Sequence, residues 1–260
     1  GAEYTISGGI KPSARVTGWD GIHSDIVIKD SIVVNGRTYA VKSISSDAFR
    51  EKDITSLVLP DSDDSIDIYN NAFSGCTKLT KVSLGTSIVE LWDNVFKDCV
   101  ALKTFTSTNL SSIGLNTFAG CSSLCEINLN DGLKTIGESA FRNCTVLTEI
   151  RIPDSVTNIG SFAFSGCTSL TEINLSNKLQ SVSTSLFENC PSLESIIVPG
   201  SVKAFGSRSF KDCTSLTSIT FEDGVDNIYG YELFINCSFE TVLLPSSVSH
   251  LNLEPHMGRH

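Results

Sequence analysis

A phenylalanine recurs at positions 49, 73, 96, 118, 141, 164, 187, 210 and 234 of the 260 residues, at steps of 22 to 24. So regular a period marks a repeat array, in which each unit is one small supersecondary element that cannot bury its apolar face alone and must stack on its neighbours. From Phe73 onward a cysteine follows each phenylalanine by three residues, at Cys76, Cys99, Cys121, Cys144, Cys167, Cys190, Cys213 and Cys237. A leucine follows three later in most units (Leu79, Leu102, Leu124, Leu147, Leu170, Leu193, Leu216), and an apolar residue three later again, as at Val82, Ile150 and Ile219. The unit reads FxxCxxLxxI and usually continues xL.

Within a unit, Ile150 and Ile152 alternate with Glu149 and Arg151, the period of two expected of a strand with one buried face. Phe141, Cys144 and Leu147 recur every three residues instead, which predicts a short helical or 3₁₀ segment. A second apolar pair such as Val156 and Ile159 predicts a short second strand. The turns are marked by Pro153-Asp154-Ser155, Asp131-Gly132, Pro199-Gly200 and Asp223-Gly224, where proline lacks the N–H that a ladder needs. The expected fold class is therefore an α/β solenoid of about nine units of about 23 residues, with one continuous parallel β-sheet, short second strands and short helical or 3₁₀ turns.

Upstream of the array, residues 26–28 and 32–34, then Asn35-Gly36, then residues 38–41 predict strands with a type I′ hairpin turn. Residues 1–44 are read as an N-terminal cap, 45–253 as the solenoid and 254–260 as a C-terminal tail. That tail has too little apolar content to cover the last core layer, so self-association through the C-terminal end is an expectation.

The LxxIxL core at this step resembles the leucine-rich repeat, and the AFxxC element (Ala72-Phe73, Ala140-Phe141, Ala163-Phe164) resembles its BspA-like, or Treponema-type, subclass. Ordinary leucine-rich repeats carry an asparagine ladder, and the corresponding positions here are Gly132, Ser155, Lys178 and Ser201. The first unit departs from the pattern with Lys52 in place of cysteine and a longer turn over residues 61–71, and the last with Phe239 in place of leucine. The resemblance implies a secreted or cell-surface bacterial protein used in adhesion or other binding.

The chemistry of the chain points the same way. Its formal net charge of −10 disfavours nucleic acid and anionic lipid as partners. No apolar run is long enough for a membrane span, so no membrane insertion is expected, and the N-terminus lacks a signal-peptide layout; any leader or anchor is expected outside this sequence. No cofactor is expected either. His23, His250, His256 and His260 lie toward the chain ends, and no phosphate loop or Ser-His-acid set is present. The eight repeat cysteines are separated by full repeats, unlike zinc-site pairs, and adjacent Cβ atoms about 4.8 Å apart do not suit disulfides. They are expected as buried, reduced thiols. Cys125 takes a place that threonine fills in other units (Thr80, Thr148, Thr171, Thr217) and is expected at the surface. Asp61, Asp63, Asp64 and Asp67 lack the glycine and glutamate of a calcium loop, since Ile66 and Ala72 stand there.

What remains is the outward face of the first strands. One column of equivalent positions reads Lys81, Thr104, Glu126, Glu149, Glu172, Ser195, Ser218, Thr241, and the next Ser83, Thr106, Asn128, Arg151, Asn174, Ile197, Thr220, Leu243. Stacked glutamates repel one another, and Arg151 is expected to relieve part of that cost. Glu126, Asn128, Glu149, Arg151, Glu172, Asn174 and Ile197 are thus the candidate ligand-binding residues. The expected function is a non-enzymatic extracellular or cell-surface binding module for a host or neighbouring-cell protein or glycan, with a structural, self-assembling surface protein as the alternative.

Overall fold

The computed structural model describes residues 1–8 and 11–251; the expected tail at 254–260 lies outside these. The chain divides into two compact units, residues 1–130 and 131–260.

The first unit carries two parallel ladders. The front ladder runs Asp25–Val27, Ser56–Leu59, Lys81–Leu84, Thr104–Ser107, Glu126–Asn128, with Leu57 beside Val82 and Val82 beside Phe105. The back ladder continues from the end of Arg37–Ile44 through Asp67–Ile68 and Glu90–Leu91 to Ser112–Ile113. Residues 26–28 therefore begin the front ladder, beside Leu57, instead of joining the hairpin. The hairpin itself pairs Ser31–Val34 with Arg37–Ile44, and Asn35 and Gly36 take φ of 51° and 74°, both positive as a type I′ turn requires. Strands Ala2–Ser7 and Ser13–Trp19, which the sequence pattern does not announce, form an antiparallel pair, and the second of them lies parallel to Arg37–Ile44. They cover the edge that the first back strand would otherwise expose.

In the second unit the front strands are Glu149–Arg151 and Glu172–Asn174, paired with each other, and Ser195–Val198, Ser218–Phe221 and Thr241–Leu243, paired in that order. No ladder joins Glu172–Asn174 to Ser195–Val198. The front sheet of this unit is interrupted there, where an unbroken one is expected.

Between back and front strands each repeat closes through its phenylalanine. Among the described residues no helix forms. In place of the expected helical or 3₁₀ segment, the residues two before and two after the phenylalanine are left-handed: Asn94 and Asp98 flank Phe96 at φ 58°, and Ser185 and Asn189 flank Phe187 at 52° and 60°. Alternate N–H groups then point outward along the stack. Asn94, Phe96 and Asp98 donate to the carbonyls of Leu115, Thr117 and Ala119 of the next repeat at 2.7–2.9 Å, while Lys97 and Cys99 close local turns. A right-handed helix would turn all these donors inward and leave the stack unpaired. Asn, Asp and Gly at these positions, as in Asn71 with Gly75, lower the cost of the left-handed backbone.

The core follows from this stacking. Phe164, Phe187 and Phe210 are fully buried and stack at 5.8 and 5.6 Å with ring planes within 20°, an offset geometry that aromatic quadrupoles favour. Seven cysteines are buried, Cys237 is half-buried and Cys125 is exposed. The buried thiols do more than fill space. Cys99 donates to Phe73 O at 3.2 Å, Cys190 to Phe164 O at 3.1 Å and Cys213 to Phe187 O at 3.1 Å. This explains cysteine where alanine or valine would also fit: a small apolar residue that still supplies a weak donor to a buried carbonyl.

Candidate binding groove on the front sheet

The expected binding residues all stand on front strands, with their side chains exposed. Glu126 and Asn128 belong to the first unit, in register with Thr104 and Thr106. In the second unit Glu149 pairs with Glu172 and Arg151 with Asn174, so two glutamates stand side by side. Among the described residues Arg151 makes no ion pair, although relief of the glutamate repulsion was expected of it. Ile197 lies on the next strand and is 55% exposed.

Glu172, Asn174 and Ile197 meet at the interrupted ladder, where a groove of about 480 Å³ opens. Its cause is local. In neighbouring repeats a threonine hydroxyl ties each strand to the one before: Thr171 Oγ1 donates to Thr148 O at 3.1 Å and Thr217 Oγ1 to Glu194 O at 3.4 Å. At the equivalent place stands Glu194, which has no hydroxyl to donate; the side chain alone does not part the strands, because Glu240 holds the same place one repeat beyond Thr217 and its strand stays paired. The backbone tie is missing too: Thr171 N donates to Thr148 O and Thr217 N to Glu194 O, and no such bond runs from Glu194 N to Thr171 O. The buried side holds, because Phe164 and Phe187 stay stacked and Cys190 still bonds Phe164 O. The strands thus part only at the front.

The groove is acidic. Asp154, Glu172, Glu194 and Glu222 line it together with the apolar Ile197 and Pro199, and among the described residues no lysine, arginine or histidine does. Glu222 accepts a bond from Gly200 N at 3.4 Å; the other three carboxylates have no ion-pair partner among the described residues. Such a site favours a cationic group that also presents apolar surface. Sequence columns alone did not single out Asp154, Glu194 or Glu222. Glutamate at 194, between Thr171 and Thr217, is no signal by itself, since Glu240 holds the same place in a paired strand.

Elsewhere the chemistry is sparse. Among the described residues no group of three or more His, Cys, Asp or Glu could hold a metal ion, and no helix is long and apolar enough to cross a membrane. Burial raises the thiols well above their ordinary value, to about 12 for Cys167, which makes them poor nucleophiles.

The family model described as BspA type leucine rich repeat region matches in six copies, over residues 42–160 and 134–255. No curated protein matches. Among solved structures the chain is similar to a leucine-rich repeat protein from Bacteroides ovatus, with 25% identity and a TM-score of 0.70 over 95% of this chain. It spans 58% of that protein's length. The leucine-rich repeat protein of T. pallidum is likewise 25% identical, with a TM-score of 0.56 over 83% of this chain and 87% of its own. One from Eubacterium ventriosum, at 18% identity and a TM-score of 0.55, covers 91% of this chain and 87% of its own and shares the fold.

Proposed function

Because the chain belongs to the BspA-type leucine-rich repeat family, whose repeats here serve as scaffold, we propose that it is a non-enzymatic binding and adhesion module, secreted or held at a bacterial cell surface. Its partner is a protein on a host or neighbouring cell. The observation that carries this reading is the groove at the interrupted ladder, in which four carboxylates face no cation among the described residues. A lysine or arginine side chain entering between Glu172 and Glu194 would replace like-charge repulsion with attraction, and an adjacent apolar residue would cover Ile197. Arginine suits the site better than lysine, since its planar fork can engage two carboxylate oxygens at once.

Binding of the purified chain to immobilised host matrix proteins tests this, beside the variant Glu172→Lys/Glu194→Lys. Both positions are exposed, so the fold survives the change and circular dichroism checks that it does. Saturable binding that weakens at least tenfold in the variant, and weakens with salt in the wild type, is the expected result. Equal binding by both proteins would remove the groove from the mechanism, and no binding by either would end the adhesion reading.

A further inference from the structure

We propose that the outward face of the back sheet in the first unit holds a second, independent binding site, for a neutral hexose oligosaccharide. It does not depend on the acidic groove.

Two features lie next to each other on consecutive back strands. The first is an aromatic platform. Trp92, 44% exposed, meets Tyr69 edge to face at 5.6 Å, so one ring braces the other and the indole keeps an open surface. On its far side the equivalent place is Gly114, where a Cβ would come within 2.7 Å of the Trp92 backbone. The row of side chains therefore stops at Trp92. Most repeats carry a small residue here (Gly114, Gly137, Gly160, Ser183, Gly206), so two adjacent aromatic residues are a local departure from the pattern.

The second feature is a polar groove of about 370 Å³ on the other side of Tyr69. Its shape follows from the register, because Arg15 is beside Ser43 and Ser43 beside Asp67. A short serine between two long charged residues leaves a trough with a guanidinium on one wall and a carboxylate on the other. Neither Arg15 nor Asp67 makes an ion pair among the described residues. Lys42, which also lines the trough, is held by Asp64 at 2.7 Å. Ser43 is only 6% exposed, lines the trough, and its hydroxyl has no hydrogen-bond partner among the described residues. That hydroxyl opens onto the trough and can donate to or accept from a group that enters it.

The chemistry of the two parts is complementary to a sugar chain. A pyranose ring has a C–H face that lies against an indole and a rim of hydroxyls that both donate and accept. Arg15 supplies a fork of donors, Asp67 two acceptor oxygens and Ser43 either role, so the trough can engage neighbouring hydroxyls in a fixed geometry. The paired opposite charges suit a neutral ligand, since an anionic sugar would meet Asp67 and a cationic one Arg15. From Arg15 to Trp92 the site spans three strand spacings, roughly 14 Å, which is longer than a single ring and calls for an oligosaccharide. A peptide is the poorer fit, because most of the residues lining the trough are polar.

The test is titration of the whole chain with maltohexaose, cellohexaose and mannohexaose in turn, followed by calorimetry and by tryptophan fluorescence. The chain has two tryptophans, and Trp19 is turned to the carbonyl of His23, so a saturable change lost in Trp92→Phe is assigned to the platform. The expected result is binding of at least one hexasaccharide that falls at least tenfold in Trp92→Ala and at least tenfold in Arg15→Ala. Glu172→Lys/Glu194→Lys should leave it unchanged, which separates this site from the acidic groove. Failure of all three sugars to bind would overturn the proposal, as would binding that survives both Trp92→Ala and Arg15→Ala.

Discussion

Raising the pH above 9 should destabilise this protein through its cysteines. Burial holds the thiols of Cys167 and Cys237 at about 12 against an ordinary value of 9.0, and it also raises Cys99, Cys121, Cys190 and Cys213. A thiol whose pKa is higher in the folded chain stabilises fully below the unfolded value. Between that value and the folded one, the unfolded chain has released a proton that the folded chain keeps, so stability falls as pH rises. The slope is about 1.4 kcal/mol per pH unit per thiol. At pH 10, one unit above the ordinary value, Cys167 and Cys237 together cost about 3 kcal/mol and the other raised thiols act in the same direction, against the roughly 5–15 kcal/mol total stability of a typical domain. The assay is urea unfolding by far-ultraviolet circular dichroism at pH 7.5, 9 and 10 with reductant present. Stability should be flat to about pH 8.5 and then drop steeply. Cys167→Ala should reduce the slope by about one proton, and the slope is the readout, since the substitution also lowers stability at every pH by emptying a buried site. The loss of a thiol donor is tolerable in that variant because Phe141 O also accepts from Cys144 N. A stability that stays level to pH 10.5, or a slope that Cys167→Ala leaves unchanged, would refute the account of the thiol ladder.

Two further expectations concern the core. Phe187→Ala removes a fully buried ring stacked on both sides and should cost about 3–5 kcal/mol in the same urea assay; a cost below 1 kcal/mol would mean that the ring stack does not hold the repeats together. Gly206→Ala would place a Cβ 2.2 Å from the backbone nitrogen of Thr184 in the previous repeat and should destabilise by about 1–3 kcal/mol, whereas Gly8→Ala, which meets nothing within 4 Å, should be neutral within about 0.5 kcal/mol.

Much of the fold is legible in the sequence because a repeat states each requirement many times. Period-two alternation at Ile150 and Ile152 and the FxxCxxL spacing assign strands and core, and Asn35-Gly36 assigns its hairpin. The nature of the turn is not legible in the same way. Apolar residues every third place suit a helix as well as a chain of left-handed corners, and the choice falls to the corners only when a neighbouring repeat stands ready to accept the N–H groups of Asn94, Phe96 and Asp98. The strands Ala2–Ser7 and Ser13–Trp19 were missed because their role, closing an edge, exists only once the stack does.

The candidate sites divide along the same line. The sequence by itself determined which residues point outward, since alternation along a strand fixes that, and so Glu172, Asn174 and Ile197 were found. Only the tertiary structure decided where those residues gather into a groove. The gap goes with a missing backbone tie between two repeats, from Glu194 N to the Thr171 carbonyl, and the trough in the first unit with Ser43 lying low between Arg15 and Asp67. Both are relations between residues more than twenty positions apart, and they are set by ladder register, which no single stretch of sequence contains.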